Sequence, residues 1–399
     1  MNGTFKFAAP LLAVLAAAAC NSGGPSGVPG TSQPASQGRL TMPQWQAKEL
    51  ARPACPQITG RPTCLALVQS KSGISRTVAG WAPSDFQTRY NLPSSTNGAG
   101  QIVAIVDAYD NPNVASDLAE YRSEFGLGTA NFYKYNQDGQ QSNYPSGSVG
   151  WGIEIDLDVQ MVSAVCPKCT IYLIEANSSD NSDLETAELE AVTLGAHIVS
   201  NSWICYNSVS CVDSDDFDQP GVVYTAGSGD EGYNENGAPE ALASVVSVGG
   251  TVLSKSGSQY SESVWSGAGA GCATGVTKPS WQHDPDCTYR TDADVSAVAW
   301  GVAEYDSYGY SGWFTVGGTS VATPMTAGIF ALRGNQATRD AGKEFWQHRQ
   351  KQRAKDLNYI STGSDGSCDG EYLCTAGTGQ FKTYGGPIGW GTADGIGLY

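Results

Sequence analysis

From about residue 100 to residue 251 the chain alternates β-branched apolar runs with helical ones, and that alternation leaves few folds open. QIVAIVDAYDN (101–111) has the pattern of a buried parallel strand ending in Asp and Asn. NVASDLAEYRSEFG (113–126) reads as a helix with a Gly stop. IEIDLDVQMVSAV (153–165) is helical by its apolar spacing, TIYLIEA (170–176) is a strand and SDLETAELEAVTLG (182–195) a helix. HIVSNSW (197–203), VVYTAGSGD (222–230) and ASVVSVGGT (243–251) follow as strands, and TSVATPMTAGIFALRGN forms the last long helix. Strands interleaved with long helices define an α/β domain on a mostly parallel sheet. Ligands of such sheets sit at the carboxyl ends of the strands. With 399 residues the chain can build one large core or two ordinary ones, and it shows no internal repeat or membrane span.

The beginning of the chain points to export. MNGTFKFAAPLLAVLAAAAC carries Lys6 as its single positive charge before an apolar run from Phe7 to Ala19, too short to span a bilayer, so residues 1–20 read as a secretory signal. Ala17, Ala18 and Ala19 before Cys20 resemble a lipoprotein processing site, which would leave Cys20 as a lipid-modified first residue. Ordinary signal cleavage would instead discard it. NSGGPSGVPGTSQPASQG is a Gly/Ser/Pro tether, and residues 21–79 read as linker and short N-terminal segment.

Cysteine usage agrees with export. Of 11 Cys, setting aside Cys20 leaves ten, in sequence-local couples: Cys55 with Cys64, Cys166 with Cys169, Cys205 with Cys211, Cys272 with Cys287, and Cys368 with Cys374. An even number in an exported chain reads as disulfides, nearest-neighbour pairing being one of many connectivities. The formal charge of −17 excludes nucleic acid and anionic membrane surfaces as partners, which leaves a lipid on Cys20 as the route to a membrane. Monomer is the default state.

The chemistry centres on VGGTSVATPM (316–325), where Ser320 is either a helix cap or a nucleophile at the tip of a Gly-rich turn. A nucleophile needs a base, and none of the three His residues lies in a turn that would offer one: His197 begins an apolar strand, His283 is in a loop, His348 in a charged helix. Glu154 and Asp158 are four apart, on one face of a helix that is otherwise apolar and therefore buried. An acidic helix start would account for them too, with Asp156 beside them. Two close acids share a proton, so one can act as a base. SGDEG (228–232) places Asp230 after a strand, either as a turn residue or as a protonated acid donating to an oxyanion. A carboxylate base suits acid pH, where imidazole would be cationic.

With these motifs the chain, from GWAPSDFQTRYNLP (80–93) to its end, resembles the sedolisin family of serine-carboxyl peptidases, relatives of the subtilisin fold. GGTSVATP (317–324), EIDLDVQ (154–160) and SGDEG match the family's nucleophile, Glu-x-x-x-Asp and oxyanion motifs. The resemblance implies a subtilisin-like three-layer α/β domain over residues 80–399, with a mostly parallel central sheet flanked by helices. It implies an acid endopeptidase with Ser320 as nucleophile, Glu154 as base and then acid, Asp158 as its orienting partner and Asp230 as oxyanion donor. Asp107 is either a further acid of that network or a strand-end cap. Ser202 and Trp203 match a substrate-cleft segment, with Ile204 where Gly is usual, so that pairing with substrate would differ. The family's calcium site maps onto Asp356, Leu357, Gly377 and Gly379, but Phe381 or Gly385 stands where its final Asp belongs, and Asp365 or Asp369 would have to stand in. The family's long prosegment has no counterpart of comparable length. A peptide-binding protein that keeps the fold without catalysis is the alternative, and a neutral subtilisin-type hydrolase is disfavoured by the histidines.

Overall fold

A computed structural model describes residues 51–58, 60–69, 78–334, 340–368, 372–377 and 383–399. Cys20, the leader, most of the linker, Asp369, Gly379 and Phe381 lie outside the described residues.

Three short strands come first, β1 (Ala51–Pro53), β2 (Thr63–Cys64) and β3 (Leu67–Gln69), then helix α1 (Pro83–Arg89). The alternating region follows as β4 (Ile102–Ala108), α2 (Val114–Glu124), β5 (Asn131–Asn136), α3 (Val149–Val165), β6 (Thr170–Ala176), α4 (Asn181–Thr193), β7 (Ile198–Asn201), β8 (Trp203–Tyr206) and β9 (Val223–Gly227). After the short β10 (Gly237–Ala238) come β11 (Val245–Ser256), β12 (Gln259–Val264), the hairpin β13 (Gly271–Thr277) and β14 (Tyr289–Asp292), then β15 (Val295–Val298), β16 (Trp300–Asp306), β17 (Gly312–Gly317) and α5 (Thr319–Arg333).

The main sheet runs β12-β11-β9-β7-β4-β6-β5, with β15 also on β11. Every pairing in it is parallel except β11 with β12. In β4 the period of two is plain. Val103 and Ile105 join a core with Ile153, Ile155, Val321 and Ile329, whereas Ala104, Val106 and Ala108 join another with Leu184, Ala187 and Ala191 of α4. Helices α3 and α5 thus cover one face and α4 the other, which makes the three layers that the resemblance implies. No helix among the described residues is long and apolar enough to cross a membrane.

Two boundaries differ from the sequence reading. Helix α3 begins at Val149 rather than Ile153, because Ser148 caps it, its Oγ accepting from Trp151 N at 3.5 Å. HIVSNSW is not one strand: β7 ends at Asn201, and β8 leaves the main sheet to pair with β2 and β10. All five nearest-neighbour cysteine couples are disulfides.

Candidate active site

Ser320 stands in the first turn of α5, which is buried from Thr319 to Leu332. Gly318 before it has φ 114°, a conformation that favours glycine. Pro324, one turn on, has no N–H for the Ser320 carbonyl. That oxygen instead takes a long contact of 3.5 Å from Ser202 Oγ.

Helix α3 is apolar around its whole circumference, so its three acids are all fully buried. The four-residue spacing separates their fates. Glu154 and Asp158 share the face turned to Ser320, whose hydroxyl favours the charged form of Glu154. Asp156, rotated away, takes Asn111 Nδ2 at 2.6 Å. Asp158 Oδ1 accepts from Ser202 Oγ at 2.8 Å, and its carboxyl also meets that of Glu154. Ser320 Oγ lies 3.5 Å from the Ser202 carbonyl oxygen. None of the contacts described for Ser320 involves a histidine: His197 meets the Gly221 carbonyl at 3.2 Å and His348 meets Glu344 at 3.0 Å.

Asp230 lies just past the carboxyl end of β9. Its Oδ1 accepts from Thr319 N at 2.8 Å and Thr319 Oγ1 at 3.0 Å, while Oδ2 has no hydrogen-bond partner among the described residues. Thr319 was not singled out in the sequence, although its place beside Ser320 in the same motif was the available signal. Asp107, next to the last residue of β4, is fully buried with neither oxygen hydrogen-bonded among the described residues, and its charge acts on both Glu154 and Asp158.

Burial dominates the electrostatics. It raises Glu154 and Asp158 well above the usual carboxylate range, Asp107 adding to both, while hydrogen bonds from Ser320 and Ala66 N oppose it at Glu154. Burial alone pushes Asp107 up to about 8, and it pushes Asp230 up to about 8 against the two Thr319 bonds. Elsewhere burial lifts Asp292 to about 7 and Glu175 to about 9. Each of these groups holds its proton more tightly folded than unfolded. The stability they contribute is present in acid and is lost as pH rises through the folded values. The melting temperature is accordingly expected to fall between about pH 4 and pH 9, by several degrees; thermal melts by circular dichroism that rise over this range would contradict the buried-acid account.

The Trp203 side chain is wholly buried, Nε1 donating to the Val106 carbonyl at 3.1 Å and the ring meeting Phe217, while its backbone pairs with Cys64. Ile204 pairs with Thr63 of the chain itself in an antiparallel register.

At the calcium position, the Asp356 carboxylate takes the Gln352 amide and lies 3.4 Å from Lys355 Nζ, and the Asp356 carbonyl accepts from Asp394 N at 2.9 Å. Leu357 is buried and paired with Ala393, and Gly377 packs against Gly385. These donors are already engaged, so the described residues do not fit a calcium shell. The three carboxylates that do converge are Asp117, Asp156 and Asp306, whose oxygens lie within 4.8 Å of one another. Ser307 caps Asp117, and the amides of Tyr308, Gly309 and Tyr310 cap Asp306, so this cluster is tied into the 306–310 turn.

A mostly parallel sheet between two helical layers, with a serine at a helix start and acids beside it, defines a subtilisin-like α/β protein. No family model matches the chain. The chain is 25% identical over 369 residues to sedolisin of Pseudomonas sp. (strain 101), covering 82% of this chain and 62% of that protein. It is 26% identical over 296 residues to kumamolisin of Bacillus sp. (strain MN-32), covering 63% and 51%. The chain therefore spans less than two thirds of the length of these curated relatives. A solved Pseudomonas sedolisin, described as a serine-carboxyl proteinase complexed with two molecules of pseudo-iodotyrostatin, superposes with TM-score 0.66 at 24% identity over 80% of this chain and 96% of that one. Sphericase follows with TM-score 0.51 at 16% identity over 80% and 99%. These similarities in sequence and fold support a relationship to the sedolisin family.

Proposed function

We propose that the chain is an exported, acid-active serine-carboxyl endopeptidase that acts as a monomer on polypeptides. The observation that carries the reading is one buried grouping: Ser320 beside Glu154, Glu154 beside Asp158, and Asp230 aimed across from Thr319 with one oxygen unused. Glu154 takes the proton of Ser320 as Oγ attacks a peptide carbonyl, and returns it to the leaving nitrogen as the C–N bond breaks. Water, deprotonated by the same carboxylate, then releases the acyl group from Ser320. Asp158, held by Ser202, keeps Glu154 in place and shares its proton. Protonated Asp230 donates to the oxyanion from Oδ2. No step passes through calcium. Five disulfides support an oxidising compartment.

A second reading, a peptide-binding protein, is favoured by one observation: Ala66 N already rests on Glu154 Oε2 at 2.7 Å, so the site holds a peptide of its own chain intact. Hydrolysis of a denatured protein, scanned from about pH 3 to pH 8, separates the two. Cleavage confined to acid is the expected result. No cleavage at any pH by folded protein, with the 51–69 segment displaced, would favour binding alone.

A further inference from the structure

Asp156, the acid of α3 that turns away from Ser320, meets two others behind the helix. Asp117 of α2 and Asp306 at the end of β16 reach the same place, and all three are buried. One oxygen from each lies within 4.8 Å of the other two. Oxygens about 2.4 Å from a common ion stand at most about 4.8 Å apart, so this spread is that of a single shell around a calcium-sized cation.

Three converging acids could simply share protons. Glu304 is what proton sharing leaves unexplained. It stands two residues before Asp306 on the same face of β16, it is buried, and neither of its oxygens has a hydrogen-bond partner among the described residues. After burial itself, the charges that act on it most strongly are those of Asp156 and then Asp306, which sets its carboxyl against the cluster. Asp156 Oδ1 likewise has no partner, Oδ2 being taken by Asn111 Nδ2 at 2.6 Å. A proton on Glu304 would not complete the arrangement, since its O–H would be a buried donor in need of an acceptor.

The chain's own cations do not answer the charge. None of the four acids is in an ion pair among the described residues. Arg122, five residues after Asp117 in α2, gives its guanidinium to the carbonyls of Leu127, Gly128, Thr129 and Pro167 and to the Ser163 hydroxyl. The capped carboxylates, by contrast, are held in place for a ligand. Ser307 N and Oγ bind Asp117 at 2.9 and 2.6 Å, and the amides of Tyr308 and Tyr310 bind the two oxygens of Asp306 at 2.7 and 2.6 Å. An oxygen that accepts one such bond keeps a lone pair for an ion, and bonds of this kind orient metal ligands.

We propose that Asp117, Asp156, Glu304 and Asp306 bind a divalent cation, calcium by size and by the hardness of its ligands, which pins α2 and β16 to the back of α3. Three unpartnered oxygens and one from each capped carboxylate give five protein oxygens. That is close to the shell calcium takes and more than magnesium, which keeps several waters, draws from protein. Softer metals prefer nitrogen or sulfur, and this site offers neither. The ion offsets the mutual repulsion of buried acids that have no other counter-charge. Its place is separate from Asp356, whose donors are engaged, and the proposal does not rest on the peptidase reading.

The test uses the full oxidised chain near neutral pH, about 7, because the ligands must lose their protons to bind. The protein is analysed for metal as purified, stripped with a chelator, and titrated with calcium by calorimetry and in thermal melts. One calcium per chain and a melting temperature higher by several degrees are expected. Asp156→Asn and Glu304→Gln should bind about tenfold or more weakly, whereas Asp356→Asn should bind as the wild type does. Both amides keep the shape of the acid. Without calcium Glu304→Gln should melt no lower than the stripped wild type, since a buried acid is gone, yet it should lack the rise that calcium gives; this separates a lost ligand from a lost fold. Folded wild type that binds no calcium and carries none as purified would overturn the proposal. So would binding that is lost in Asp356→Asn, a result that decides the matter even if an amide variant does not fold.

Discussion

Ser320→Ala, introduced beside Leu65→Asp so that the 51–69 segment is displaced and the cleft is open, is expected to lower hydrolysis of a denatured protein in acid by about 10⁴-fold or more. The reason is position: of the two hydroxyls at the head of α5, Ser320 lies beside Glu154, whereas Thr319 Oγ1 is engaged with Asp230 at 3.0 Å. Glu154→Gln is expected to cost nearly as much, about 10²–10⁴-fold, because the amide keeps the shape but accepts no proton. The two losses should not add, since neither group works without the other. Folding provides the control. Ser320→Ala removes one oxygen from a buried turn, and Glu154→Gln replaces a desolvated acid by a neutral group, so melting temperatures in acid should stay within a few degrees of the parent. Wild-type turnover in Ser320→Ala would end the nucleophile assignment, and the same result in Glu154→Gln alone would end the base assignment.

What the sequence could show depended on whether the information was local. The sheet was legible because β4 and β6 are apolar on both faces, and the alternation of Val103 and Ile105 with Ala104 and Val106 matches two different cores. The disulfides were legible because each loop is short, the partners standing from 3 to 15 positions apart. Glu154 and Asp158 were legible because a helix with no polar face has no ordinary place for acids, and their spacing sets them apart from Asp156. The side-chain direction of Trp203 was not legible, because a motif fixes a backbone position only, and the ring here turns to the Val106 carbonyl. The path of residues 63–69 between β8 and β17 was missed because its partners are distant in sequence. TCLALVQ (63–69) pairs with strands more than a hundred residues away, Ile204 and Val316 among them, and no short-range pattern carries that register. Only the Cys55 and Cys64 couple marked the segment, and it was read as a staple.

Asp230 carries the other large effect, and its sign depends on pH. One oxygen is fixed by Thr319, and the other has a role in the chemistry only while it bears a proton. Burial in the occupied cleft pushes the Asp230 pKa up to about 8, and opening the cleft lowers it from there, so the donor is present in acid and is lost as pH rises. Asp230→Ala in the open-cleft background is therefore expected to lose about 10²–10³-fold in kcat, the usual effect of removing one oxyanion donor. Asp230→Asn should behave differently. Its amide oxygen can keep both Thr319 bonds while its NH₂ donates where the protonated carboxyl did, so most of the acid rate is retained. Because the amide does not ionise, the decline that Asp230 imposes as pH rises should vanish in Asp230→Asn, and the profile should then follow the remaining groups. A profile of kcat against pH that falls identically in wild type and Asp230→Asn would show that another group sets the alkaline limit. Retention of the full rate by Asp230→Ala would show that the oxyanion is stabilised without this side chain, and that its unused oxygen has no part in the reaction.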